Sequence, residues 1–103
     1  MFEVDRNLHG SVLEEAHKVI NGERQDAYGH PEDSFQIIAE LWSVYISRKF
    51  RVDVKLTGVD TAVMLSLFKH ARMMGSNMIT RDTIVDACGY LAILGDRLTS
   101  QTT

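Results

Sequence analysis

The residues best suited to bind a charged ligand are concentrated in positions 22–31, GERQDAYGHP, between two predicted helices. Arg24 and His30 can both hold phosphate oxygens, the guanidinium of Arg24 through two parallel hydrogen bonds. Tyr28 supplies a ring on which a nucleobase can stack. The segment is therefore a candidate phosphate and base site. The alternative is an ordinary connector whose charges pair with one another.

Two aspartates in the last predicted helix form a second candidate site. Asp82 and Asp86 are four residues apart, which places both carboxylates on one face of the helix. Mg²⁺ can compensate such a pair, since it commonly binds one or two carboxylates together with substrate phosphates. Structural ion pairs are the alternative, and the candidate partners are Arg24, Arg72 and Arg81.

Glu32 and Asp60 complete the candidate metal site. Each falls in the first turn of a predicted helix, where acids commonly cap amides or stabilise the helix dipole. Asp60 fits that explanation less well, because helical spacing places it on an apolar side of its helix. The sequence thus offers one ligand set for Mg²⁺, namely Asp82, Asp86, Glu32 and Asp60.

Three more residues extend the candidate ligand site. Lys69 and Arg72 form a basic strip on the third predicted helix, and Trp42 lies on the second. The amides that follow His30 in the first turn of the second helix can also seat an anion. We therefore expect a nucleotide or another phosphorylated small molecule, bound by Arg24, Tyr28, His30, Trp42, Lys69 and Arg72.

The composition excludes several classes of protein. The 103 residues suffice for one domain, 1–103, and 45% of them are hydrophobic, as in a globular protein. The net charge of -3 and the lack of a basic stripe argue against direct DNA binding. Neither a membrane span nor an export signal is evident, and the single cysteine, Cys88, suits a reducing compartment. We expect a cytoplasmic protein.

The periodicity of apolar residues predicts an all-α fold, a four-helix bundle-like single domain. Capping signals begin the first helix at Ser11 and the third at Thr57, while Pro31 begins the second. The predicted order is a lead-in over 1–10, helices over 11–27, 31–50, 57–75 and 80–98, a loop over 51–56 and a polar tail over 99–103.

The second and third helices differ in their apolar faces. In the second, one face is predicted to carry Phe35, Ile38, Leu41, Trp42 and Tyr45. The third is apolar around most of its circumference, and such a helix must be buried on nearly all sides. Three short partner helices hardly cover it, so the sequence predicts a homo-oligomer that assembles through this helix.

Several short motifs, in this order, resemble a family of small phage and prophage proteins of unassigned function. They are Gly22-Glu23-Arg24, Tyr28-Gly29-His30-Pro31, Phe35, Trp42-Ser43, Asp60, Lys69-His70-Ala71-Arg72, Arg81-Asp82, Val85-Asp86 and Gly89-Tyr90. More remotely, the arrangement is similar to nucleotide-modification-associated helical domains and to MazG-like all-α NTP pyrophosphatases. That similarity implies an oligomeric bundle which uses Mg²⁺ to split nucleoside triphosphates. Those enzymes hold the metal with an E-x-x-E pair and an E-x-x-D pair.

The sequence departs from that metal pattern in both helices. The second helix has Glu32 and Glu40 without an E-x-x-E pair, and the last has Asp82-x-x-x-Asp86. The first hypothesis is therefore a phage-type nucleotide-binding protein that sequesters a phosphorylated signalling nucleotide, such as a host immune signal. A MazG-like, Mg²⁺-dependent pyrophosphatase is the second. A structural or protein-interaction module without a small ligand is the third.

Overall fold

The computed structural model describes residues 10–22 and 29–99, and these parts of the chain form four helices without a strand. The helices are α1 (Ser11–Asn21), α2 (Pro31–Phe50), α3 (Gly58–Gly75) and α4 (Arg81–Ile93), and a π-helical turn over Leu94–Leu98 continues α4. The predicted all-α, bundle-like fold is confirmed. Helix α4 packs against both α1 and α3, and α3 packs against α2. Within these ranges, every helix falls short of the combined length and apolar character that a membrane crossing requires.

Helix α1 begins where the sequence predicts but differs at its cap and its end. Gly10, in a left-handed conformation, precedes the helix, and its carbonyl accepts from the Glu14 N–H at 2.8 Å. Ser11 is thus the first helical residue, and its predicted capping box is wrong. The helix stops at Asn21 rather than near residue 27. At Gly22 an added Cβ would lie 2.5 Å from the Lys18 carbonyl oxygen, so this helix end suits glycine alone.

The starts of α2, α3 and α4 are confirmed. Pro31 occupies the first turn of α2, where its missing N–H has no helical partner to lose. At α3, the Thr57 N–H donates to the Asp60 carboxylate at 2.8 Å and the Thr57 side chain accepts from the Asp60 N–H. The Thr80 hydroxyl accepts from the Thr83 N–H at 3.3 Å at the start of α4. These signals are local in sequence, which is why they could be read directly.

Residues 51–56 form the predicted loop, and two serines of α2 hold it. The Val54 N–H donates to the Ser47 hydroxyl at 3.0 Å, and that hydroxyl donates to the Val54 carbonyl at 3.2 Å. Two residues later the Leu56 N–H donates to the Ser43 hydroxyl at 2.8 Å. Side chains of α2 therefore take the place of a partner strand for this alternating segment.

The core lies where α2, α3 and α4 meet. Phe35, Ala62 and Ile93 are buried at its centre, and half-buried apolar side chains surround them. Thr61 is fully buried and donates its hydroxyl to the Phe35 carbonyl at 2.8 Å. Ala39 and Ala62 are also completely covered.

Helix α2 turns a different face to the core than the sequence predicts. Phe35 and Ala39 are buried, but Leu41 and Tyr45, which are predicted to join them, are 65% and 62% exposed. Ile37 and Val44 are exposed on the same side. The helix is apolar on two sides, so periodicity alone could not decide which side is buried.

Helix α3 also keeps an apolar side that residues 10–22 and 29–99 leave exposed. Leu67, Phe68 and Met74 are exposed, while Thr61, Ala62 and Ser66 are buried against the neighbouring helices. The described residues of one copy therefore do not give α3 the predicted burial around nearly its whole circumference. Assembly into a homo-oligomer stays a prediction.

Candidate functional site

A partly open cavity of about 190 Å³ lies between α1, the first turns of α2, and α4. Its walls are mostly apolar, and its lining residues are Val19, Ile20, Gly29, Pro31, Ser34, Phe35, Val85, Asp86, Gly89, Tyr90 and Ile93. Three of these lining residues have polar groups in their side chains: Ser34, Asp86 and Tyr90. Ligand sites commonly combine an apolar lining with a few polar groups in this way.

Two aromatic rings form part of the wall. The ring centroids of Phe35 and Tyr90 are 6.0 Å apart and the ring planes are inclined by 50°. Phe35 comes from the second turn of α2 and Tyr90 from the last turn of α4. Aromatic walls of this kind favour a planar ring as the occupant, since it can pack against a face or an edge.

Asp86 brings a carboxylate to this wall, and an ion pair fixes it. The Lys69 ammonium lies 2.8 Å from its Oδ2 atom, and the two side chains are 14% and 22% exposed. Within residues 10–22 and 29–99, the Oδ1 atom makes no polar contact. One oxygen therefore stays available to accept a hydrogen bond from a ligand.

A second polar cluster joins the end of α1 to the start of α2. Arg97 donates to the Glu32 carboxylate at 3.2 Å and to the Asn21 side-chain oxygen at 2.6 Å, and His30 Nδ1 lies 3.8 Å from Glu32. Burial by itself would raise the pKa of Glu32. The Glu32 backbone N–H, the hydrogen bond and charge of Arg97, and His30 outweigh it, so the pKa lies below its ordinary value.

The four predicted metal ligands are each engaged differently. Asp60 caps α3 through Thr57, Glu32 pairs with Arg97, and Asp86 pairs with Lys69, whereas Asp82 is exposed one turn before Asp86. In the part of the chain that is described, no group of three His, Cys, Asp or Glu side chains is arranged to hold a metal ion. The predicted arginine partner of Asp86 is corrected to a lysine. Arg81 pairs instead with Glu15 at 2.7 Å.

The predicted basic strip of α3 is divided between two surroundings. Lys69 binds Asp86, while the Arg72 guanidinium lies 4.7 Å from the centre of the Phe68 ring. Arg72 and Phe68 line a different cavity, of about 480 Å³, between α3 and the start of α4. The structure therefore does not join Arg72 to the Asp86 cavity.

The other predicted ligand residues have different positions. His30 is exposed between Gly29 and Pro31, both of which line the Asp86 cavity. Trp42 is half-buried on α2 and is not among the lining residues. Arg24 and Tyr28 lie outside the described residues.

Sequence reasoning missed Ser34, Tyr90 and Arg97 as site residues. Tyr90 follows Asp86 by one helical turn, so it could have been found on the same face. Arg97 could not, because its partner Glu32 is 65 residues away in the chain. Such a contact depends on how the helices pack.

Two curated relatives are phage proteins. The chain is 39% identical over 80 residues to the Gene 55 protein of Mycobacterium phage D29, covering 78% of this chain and 48% of that protein. It is 39% identical over 84 residues to the Gene 55 protein of Mycobacterium phage L5, covering 82% and 50%. The chain thus spans about half the length of these relatives. No solved structure matches it.

The predicted resemblance to a phage family is confirmed by these relatives and by a family match. Residues 11–98 match the model of DUF6378, a domain of unknown function. This range begins with the first residue of α1 and ends with the last residue of the π-helical turn. Because it covers most of the chain, the protein belongs to the DUF6378 family.

Proposed function

We propose that this protein binds a nucleotide, with the base inside the cavity between α1, α2 and α4. The observation that carries the proposal is the pairing of an aromatic wall, Phe35 and Tyr90, with the Asp86 carboxylate in one partly open cavity. Nucleobases are planar and bear N–H groups at their edges. They therefore suit both features of this wall.

The size of the cavity limits what enters it. Sites for drug-sized ligands measure roughly 300–1,000 Å³. At about 190 Å³, this cavity holds one ring system rather than a whole nucleotide. The sugar and the phosphates would therefore extend toward solvent.

The charge of the cavity agrees with that orientation. The Asp86 carboxylate accepts hydrogen bonds from N–H donors, but it repels a phosphate group. Phosphate would lie outside, where exposed His30 is flanked by the lining residues Gly29 and Pro31. Arg24 is the second cation that the sequence offers for it.

The test is a panel of nucleosides and nucleotides, with and without Mg²⁺, measured by thermal shift and calorimetry. A ligand at 100 times its Kd stabilises a protein by about 2.7 kcal/mol. Asp86→Asn should weaken binding at least tenfold, whereas Asp82→Asn, on the same helix but exposed and outside the cavity lining, should not.

Ser34→Leu provides a variant that leaves the Lys69–Asp86 ion pair intact. It adds apolar volume at the cavity wall and should abolish binding while the helical content is retained. The proposal fails if no member of the panel binds, or if Asp86→Asn and Ser34→Leu both bind as the unmodified chain does.

The MazG-like pyrophosphatase stays a second hypothesis, drawn from the remote resemblance and not from the cavity. It is separated from simple binding by incubating the panel with Mg²⁺ and measuring pyrophosphate release. A binder returns the nucleotide unchanged. A structural or protein-interaction module would bind no member of the panel.

A further inference from the structure

Helix α2 carries a line of exposed residues on the side that faces away from the core. The residues occur at every fourth position, and we call them the outer ridge: Asp33, Ile37, Leu41, Tyr45 and Lys49. Residues spaced by four form one of the ridges through which helices pack against each other. The three central members are 57%, 65% and 62% exposed. More than half of each of these side chains is exposed, and the contact that Tyr45 makes is with Lys49 of the same ridge.

The two ends of the outer ridge carry opposite charges. Asp33 lies in the first turn of α2 and Lys49 in the last. Neither forms an ion pair with any residue in 10–22 or 29–99. Arg48, next to Lys49, is a second exposed cation in the last turn of α2 and forms no ion pair with the described residues. The ridge is thus acidic toward its start, apolar in the middle and basic toward its end.

We propose that the outer ridge is the interface between two copies of this chain, packed antiparallel about a two-fold axis at Leu41. Such an axis places Leu41 beside its own copy and Ile37 beside Tyr45 of the other copy. It also places Asp33 beside Lys49 of the other copy, because these residues are equally distant from Leu41. An interface of this symmetry must be complementary to itself, and the outer ridge is.

The exposed side of α3 lacks this self-complementarity. Its single acid, Asp60, is bound to Thr57 at the start of the helix, and its Lys69 is paired with Asp86 of α4. Two copies of α3 packed antiparallel would gain no acid–base pairs from these residues. The distribution of charge therefore favours α2 as the interface between copies. The sequence had favoured α3, because apolar residues surround most of its circumference.

Light scattering and sedimentation across a dilution series test the assembly. The chain should have about twice its 11.6 kDa mass at high concentration and dissociate on dilution. Leu41→Glu places two carboxylates at the axis and should weaken association by about a hundredfold. Leu13→Glu is the matched control, because Leu13 on α1 is also 65% exposed, and it should leave association unchanged.

A charge exchange tests the antiparallel register. Asp33→Lys alone and Lys49→Asp alone should each weaken self-association by about tenfold at low salt, since each sets like charges together. The two single variants, mixed, should associate with each other, because every facing pair is then of opposite charge. The double variant should associate as well, although both substitutions oppose the dipole of α2. Circular dichroism checks that every variant keeps its helices.

Three results would overturn the assignment. The first is a mass of 11.6 kDa for the unmodified chain at every concentration. The second is a Leu41→Glu variant that associates as strongly as the Leu13→Glu variant. The third is an assembly that Leu67→Glu on α3 dissociates and Leu41→Glu does not. A mixture of the charge variants that fails to associate would overturn the register.

Discussion

The Lys69 ammonium lies 2.8 Å from the Asp86 carboxylate, and this contact joins α3 to α4 at the wall of the cavity. Both side chains are largely covered, so the ion pair is screened less than one at the surface. The ion pair gives Asp86 a structural role in addition to the role in ligand binding that we propose. The two roles are separable, because only one carboxylate oxygen contacts Lys69.

The first prediction concerns this ion pair. Lys69→Met should lower the free energy of unfolding by about 1–2 kcal/mol, between the values for exposed and buried pairs. Urea denaturation measures it, and a double-mutant cycle with Asp86→Asn isolates the coupling. Arg81→Met is the control. It removes the more exposed pair with Glu15 and should cost no more than about 0.5 kcal/mol.

The second prediction concerns Glu32 and pH. Its pKa is below the ordinary value of 4.5 because its hydrogen bonds and the nearby charges of Arg97 and His30 outweigh burial. The stabilisation that follows is present above pH 4.5 and is lost as the pH falls through the lowered pKa. Glu32→Gln should therefore flatten the acid side of the stability curve.

Denaturation between pH 2.5 and 6 measures this effect. Glu14→Gln serves as the control, since Glu14 is exposed on α1 and forms no ion pair with described residues. If Glu32→Gln and the unmodified chain lose stability in parallel as the pH falls, Arg97 does not stabilise the charged form of Glu32.

The third prediction concerns the buried hydroxyl of Thr61. It donates to the Phe35 carbonyl at 2.8 Å, where α3 crosses α2. Thr61→Val keeps the shape and removes the donor, and it should cost about 1–2 kcal/mol. Thr61→Ser keeps the donor and removes a methyl group. Chemical denaturation of both variants tells whether the hydrogen bond or the packing dominates.

The fourth prediction concerns the end of α1. Gly22→Ala should destabilise the protein by at least about 1 kcal/mol, because the new Cβ would approach the Lys18 carbonyl to 2.5 Å. Gly95→Ala is the matched substitution in the π-helical turn, where the Cβ meets nothing within 4 Å. It should be neutral or stabilising by up to about 1 kcal/mol. Thermal unfolding compares the two.

The helix starts were predictable because each is encoded within a few residues. Pro31, and Thr57 with Asp60, act on backbone groups of their own turn. The exposure of Leu41 was not predictable, because α2 is apolar on two sides and only its neighbours decide which side they cover. Periodicity shows which residues share a face of a helix, whereas the packing of the neighbouring helices decides which face is buried.

The candidate site was predictable in part for the same reason. Asp86 is conspicuous in the sequence as an acid beyond the first turn, and the structure places it at the cavity wall. Its partner Lys69 was assigned to phosphate, because spacing along one helix says nothing about the helix opposite. The cavity itself exists only between elements, so no local pattern encodes it.

The loop that Ser43 and Ser47 hold has a consequence for the length of the chain. Between its contacts at Val54 and Leu56 the loop advances by two residues, about 6.6 Å in extended form. Over the same interval α2 runs back from Ser47 to Ser43, one turn of about 6 Å. The two lengths agree, so the spacing of the two loop contacts matches the spacing of the two serines along the helix. One residue inserted into or deleted from the loop would break the hydrogen bond between the Leu56 N–H and the Ser43 hydroxyl. It would also shift the point at which α3 begins.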